Sequence, residues 1–95
     1  NVDGTGNRVA AQIFGPKKVL LIVGKNKIVL NLEKAIERIE KIAAVKNADR
    51  INKTAIKYGK IRTYTPEELC NKYSIIKRDE SARTTIILVD EELGY

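Results

Sequence analysis

Residues 1–27, NVDGTGNRVAAQIFGPKKVLLIVGKNK, decide how the rest of the chain is read. They spell the end of a strand, a glycine-rich turn, a short helix, a buried strand and a second glycine turn that carries a lysine. In Asp3-Gly4-Thr5-Gly6-Asn7 the glycines supply positive φ, while Asp and Asn bond back to nearby backbone. Asn7 or Thr5 can cap a helix over 8–14 whose apolar face is Val9, Ala10, Ile13 and Phe14. Gly15-Pro16 stops it, since glycine ends helices and proline cannot continue them.

Val19-Leu20-Leu21-Ile22-Val23 shows no alternation, so both its faces are expected to be buried, as at the centre of a parallel sheet. Strand, helix and parallel strand joined in order make a right-handed crossover. The loops leaving the C-terminal strand ends then share one sheet edge, where open α/β sheets bind ligands. Those loops are DGTGNR and GKNK. The expected ligand-binding residues are therefore Asp3, Gly4, Thr5, Gly6, Asn7 and Arg8 from the first turn, with Gly24, Asn26 and Lys27 from the second. Each loop feeds a helix and can offer free backbone N–H groups to an anion. Arg8 adds a planar fork, Lys27 a point charge, and Asp3 an acceptor for a ligand hydroxyl. GTGNRV lacks the third glycine of the dinucleotide fingerprint, and nothing matches a Walker A loop. Two plainer readings stand beside this one: Gly4 and Gly6 as a tight turn only, and Lys27 as a surface lysine.

Asn31 caps the strongest helix pattern, over 32–44, with Leu32, Ala35, Ile36, Ile39, Ile42 and Ala43 spaced by threes and fours. A weaker helix follows over 46–58, turned inward by Val45, Ala48, Ile51 and Ala55 and ended by Gly59. Pro66 suits the first turn of a short helix over 66–72 with Thr65 as its cap. Ser74 to Arg78 reads as a short strand, residues 79–82 as a turn, and Thr84 to Val89 as a second apolar strand. The whole of 1–95 reads as one domain.

One cysteine and no histidine among 95 residues argue against a disulfide framework or a His-based metal site, and for a reducing, cytoplasmic setting. No apolar run reaches the ~18–20 residues that span a bilayer. The net charge of +6 is uneven: residues 1–60 hold thirteen Lys/Arg against five Asp/Glu, and residues 61–95 hold five against seven. That bias beside the glycine turns suits a small anionic ligand such as a phosphate, carboxylate or nucleotide; the plainer reading is that scattered lysines keep a small protein soluble. Nucleic acid is disfavoured, because basic residues alternate with acidic ones and no aromatic run offers a stacking platform.

NVDGTGNRVAAQIFGPKKVLLIVGKNKIV, followed by LEKAIERIEKIAAVKNADR and RTTIILVDEELGY, resembles the LUD-domain family of lactate-utilisation proteins (LutC-like). The likeness is strongest in 2–29 and 83–95, and it falls on the C-terminal half of family members. It implies a three-layer Rossmann-like, mostly parallel α/β sheet of the NagB/RpiA/CoA-transferase type, of which this chain is the C-terminal part. It further implies a role in oxidation of L-lactate to pyruvate alongside iron–sulfur partner proteins. A nucleotide- or CoA-binding enzyme of transferase or ligase type, and a purely structural subunit, are the alternatives. Close relatives carry a cysteine cluster in the region matching residues 54–70, where this chain has Cys70 alone. No metal or other cofactor is expected, and Cys70 is expected to pack as a small hydrophobe. A sheet cut short in this way would expose a strand edge, so a homo-oligomer or association with the other half of the domain is expected.

Overall fold

The computed structural model describes residues 1–4 and 8–95. The elements run β1 (Val2–Asp3), α1 (Arg8–Ile13), β2 (Val19–Gly24), a 3₁₀ turn (Lys25–Lys27), α2 (Leu32–Arg38), a π turn (Ile39–Ala43), α3 (Ala44–Lys57), α4 (Pro66–Leu69), β3 (Lys72–Tyr73) and β4 (Thr84–Val89). The chain is a mixed α/β structure. β2 and β4 pair in parallel from Val19↔Thr84 to Gly24↔Val89, and β1 and β3 form a short antiparallel pair. The parallel partner of β2 is thus β4, some sixty residues away in sequence, and β1 joins a separate ladder.

Several local signals act as the sequence predicts. Asn31 Oδ1 accepts the Lys34 N–H at 2.9 Å and caps α2. Thr65 and Glu68 form a reciprocal capping box on α4, with Pro66 just inside it. Gly59, at φ +71°, ends α3. Its own N–H bonds to the Ile56 carbonyl, and the Lys60 N–H reaches back to the Ala55 carbonyl, which also accepts from Tyr58.

Other expectations are corrected. The two helices expected over 32–44 and 46–58 are one continuous helical segment, because the Ile39–Ala43 π turn carries the chain from α2 into α3 without a break. The strand expected over 74–78 lies instead at Lys72–Tyr73, where β1 supplies its partner. α4 stops at Leu69 rather than 72. The apolar strands are not buried on both faces: Leu20 is 59% exposed, Ile22 62%, Ile86 59% and Leu88 61%. A two-stranded ladder has too little around it to cover both sides. The buried apolar residues are small, namely Ala44, Ala48 and Ala55 of α3, with Cys70.

The expected apolar face of α1 is likewise open, with Phe14 86% exposed. Polar bonds hold this helix instead. Arg83, only 8% exposed, donates from Nη1 to the Gln12 carbonyl at 2.8 Å, from Nη2 to Ala11 at 3.1 Å and from Nε to Pro16 at 2.9 Å. The last carbonyls of α1 and its Gly-Pro exit are thereby tied to the first residue before β4.

Candidate functional site

A cavity of about 680 Å³ runs along β2 and past its C-terminal end. Its floor is aliphatic: Leu21, Val23 and Val29 face Ala35, Ile39 and Ala43 of the long helix. Four-residue steps on an α-helix drift by about 40° each. The wider π turn takes up this drift, so Ala35, Ile39, Ala43 and Asn47 all stay on the cavity side.

The charged side chains lining the cavity are those of Arg8, Lys27 and Arg38; among the described residues no Asp or Glu lines it. Arg8 stands at the start of α1 and is fixed by Asp3, whose Oδ1 accepts from Nη2 at 2.8 Å and from Nε at 3.2 Å. Lys27 ends the 3₁₀ turn after β2. Burial pushes its pKa down from the ordinary lysine value, and the nearby charges of Arg38 and Lys46 push it the same way. Arg38, on the last turn of α2, is half-buried and donates from Nη1 to the Tyr95 main-chain oxygen at 3.2 Å. Of these three cationic side chains Arg8 is already paired with the Asp3 carboxylate, and Lys27 and Arg38 add positive charge to the same concavity.

Of the residues expected from sequence, Arg8 and Lys27 meet at this cavity. Asp3, Gly4, Gly24 and Asn26 do not line it, and each has a visible structural task. Asp3 is 4% exposed, and its second oxygen accepts from Asn1 Nδ2 at 2.8 Å. A Cβ at Gly4 would sit 1.9 Å from the Leu69 carbonyl oxygen, so glycine is what lets β1 lie against the end of α4. A Cβ at Gly24 would lie 2.5 Å from the Leu93 nitrogen and 2.7 Å from the Glu91 oxygen, where the segment after β4 crosses. Asn26 accepts the Leu93 N–H on Oδ1 at 3.1 Å. Thr5, Gly6 and Asn7 lie outside the described residues. Arg38 escaped sequence reasoning because, in the middle of the helix expected over 32–44, it reads as one more charged residue of a solvated face.

Cys70 is buried, with Asn47 Nδ2 3.5 Å from its Sγ. Among the described residues no group of three or more His, Cys, Asp or Glu could hold a metal ion, and no helix is long and apolar enough to cross a membrane.

A parallel strand pair flanked by a long helix, with a cavity beside it, defines a mixed α/β domain. Residues 1–89 match the model of the LUD domain, and the chain belongs to the LUD domain family. That family is associated with lactate utilisation. No curated protein and no solved structure matches the chain.

Proposed function

We propose that this LUD domain is a cytoplasmic accessory subunit in the oxidation of L-lactate to pyruvate, holding a small anionic ligand in the cavity between Arg8 and Lys27. The observation that carries the reading is the cavity itself, whose charged side chains are all cationic among the described residues. The family's association with lactate utilisation supplies the metabolic setting. The parallel β2–β4 ladder, with the cavity running past its C-terminal end, fits the open Rossmann-like sheet of the NagB/RpiA/CoA-transferase class. In this reading Arg8, preset by Asp3, grips a carboxylate with two parallel N–H groups, and Lys27 neutralises its charge. Iron–sulfur proteins of the same pathway are the proposed partners for electron transfer. The test is lactate-dependent growth of a deletion strain. Wild type restores growth and Arg8→Ala or Lys27→Ala does not; full rescue by both variants would remove the site from the account.

Cavity size favours a second reading. L-lactate has six non-hydrogen atoms and fills a small part of about 680 Å³, a volume within the ~300–1,000 Å³ range of pockets for larger ligands. A nucleotide or an acyl-CoA would use the same cations for phosphate and the aliphatic floor for its body. Calorimetric titration with L-lactate, ATP and CoA separates the two readings. Heat from lactate alone supports the first, and heat from ATP or CoA supports the second.

A further inference from the structure

Between Asp49 and Glu67 lie seventeen residues, 50–66, with five Lys/Arg and no Asp/Glu, and none of them lines the cavity. The structure gathers the middle of this run into one projecting apex. α3 ends at Lys57 and the chain reverses through Gly59. The Lys60 N–H donates back to the Ala55 carbonyl at 2.9 Å. Asn52 then clamps the returning chain: its Oδ1 accepts the Tyr64 N–H at 2.8 Å, and its Nδ2 donates to the Tyr64 carbonyl at 2.9 Å. Residues 56–62 are thereby held as a defined loop tip on the end of the long helix.

That apex shows solvent a surface both apolar and basic. Ile61 is 99% exposed, Tyr58 72% and Ile56 65%, with Lys57 and Lys60 exposed beside them. At about 100° per residue, Lys53, Ile56 and Lys57 fall within one arc of about 100° on α3. The buried Ala44, Ala48 and Ala55 lie on the far side of the same helix. Lys53 pairs with Asp49 and Arg62 with Glu68, while Lys57 and Lys60 have no ion-pair partner among the described residues. Isoleucine and tyrosine set between lysines match the boundary of a bilayer. The aliphatic chain enters the acyl region, the phenol stays at headgroup level, and the ammonium groups meet lipid phosphates. RNA is the competing polyanion, and the apex suits it less, because stacking of bases needs open aromatic faces. The Arg62 guanidinium lies 4.8 Å from the centre of the Tyr64 ring and covers it, which leaves Tyr58 as the open ring of the apex. Stacking would also leave Ile56 and Ile61 unused.

We propose that the 56–62 apex docks this protein on an anionic lipid surface, with Ile61 inserted, Tyr58 at the headgroups, and Lys57 and Lys60 against lipid phosphates. The docking is independent of what the cavity holds. The test is co-sedimentation of the full chain with vesicles of phosphatidylcholine, alone or mixed equally with phosphatidylglycerol, at low and at physiological salt. Wild type partitions to the phosphatidylglycerol vesicles only, and added salt releases it. Lys57→Gln with Lys60→Gln lowers the partition coefficient by about twentyfold, since each surface cation contributes about fivefold. Ile61→Ser lowers it by about fivefold or more, and Ile61→Trp raises it. All of these positions are exposed, so far-UV circular dichroism stays as in wild type. Lys17→Gln with Lys18→Gln removes the same charge elsewhere and keeps most of the binding. A loss there as large as that of the Lys57 and Lys60 pair makes net charge the cause and overturns the proposal. Binding indifferent to Ile61→Ser overturns it too, as does a wild type that both kinds of vesicle leave in the supernatant. Capture of wild type by poly-uridylate but not by anionic vesicles overturns it in favour of RNA.

Discussion

Arg83 Nη1 donates to Asp79 Oδ2 at 2.9 Å while the same guanidinium holds the carbonyls of Ala11, Gln12 and Pro16. One buried side chain thus joins the turn before β4 to the end of α1, about seventy residues away in sequence. Its charge also lies at the negative end of the helix dipole. Arg83→Ala leaves those carbonyls without donors and is expected to cost about 2–4 kcal/mol in stability. Arg83→Lys should recover little, because one ammonium cannot reach acceptors spread around a fork. Urea denaturation followed by circular dichroism measures both.

Gly4 and Gly59 are glycines for different reasons, and alanine at each should separate them. At Gly4 the added methyl group meets the Leu69 backbone oxygen at 1.9 Å, so β1 must move off α4. Overpacking against backbone is expected to cost about 1–3 kcal/mol and to disturb the β1–β3 pair. At Gly59 nothing lies within 4 Å, and only the positive φ of +71° is strained. The expected cost there is about 1 kcal/mol, with the fold otherwise intact. Thermal melts of the two variants give the comparison.

Acid should remove one contribution to the long helix, the pairing of Glu37 with its two lysines. Hydrogen bonds from Lys34 and Lys41 hold the Glu37 carboxyl down at about 2, against an ordinary 4.5. A carboxyl whose folded pKa is depressed stabilises the fold above its unfolded pKa and loses that contribution as pH falls toward the folded one. The loss therefore falls between about pH 4.5 and about pH 2. Asp79, held low first by the Thr84 hydroxyl and then by the Glu80 N–H and Arg83, works in the same direction. Glu37→Gln should flatten the fall in helical signal across that interval in an acid titration.

Anion binding at the cavity should fade with rising pH sooner than an ordinary lysine would dictate. Burial, then Arg38 and Lys46, favour the uncharged amine of Lys27, so its folded pKa lies below 10.5. Binding that needs the ammonium is complete below this lowered pKa and is lost as pH rises through it. Lys27→Arg keeps the charge and should hold affinity to higher pH. Calorimetry from neutral to alkaline pH reads the difference.

The uncovered strands make an assembly prediction. A compact protein of 10.7 kDa exposes roughly 5,500 Å², whereas this chain exposes 7563 Å². The excess of about 2,000 Å² per chain would give a pair the buried area of an obligate interface. Its radius of gyration, 15.0 Å, likewise exceeds the roughly 12 Å expected for this length. A second copy is the expected cover for the β2–β4 face. Sedimentation equilibrium should find a species heavier than one chain, and Leu20→Lys with Ile22→Lys should return it to monomer. A wild-type chain that sediments as a monomer would contradict this.

The sequence alone determined the local punctuation of this protein. Asn31, Gly59 and the Thr65-Pro66 start each act within a few residues of themselves, so their physics is complete in a short window. The apolar run Thr84 to Val89 likewise fixed a strand, and the LUD-domain motifs fixed the family. Arg8 and Lys27 were legible as cations beside glycine turns, though not as lining of one cavity. Only the tertiary structure decided that β4 rather than β1 pairs with β2, since strand partners are chosen by what packs across long loops and not by composition. It alone gave Arg83 its carbonyls and Arg38 its place at the cavity. It also turned Gly4, Gly24 and Asn26 toward packing and toward the segment after β4, because the Leu69 and Leu93 backbones that demand this approach from more than sixty residues away, beyond the reach of any local pattern.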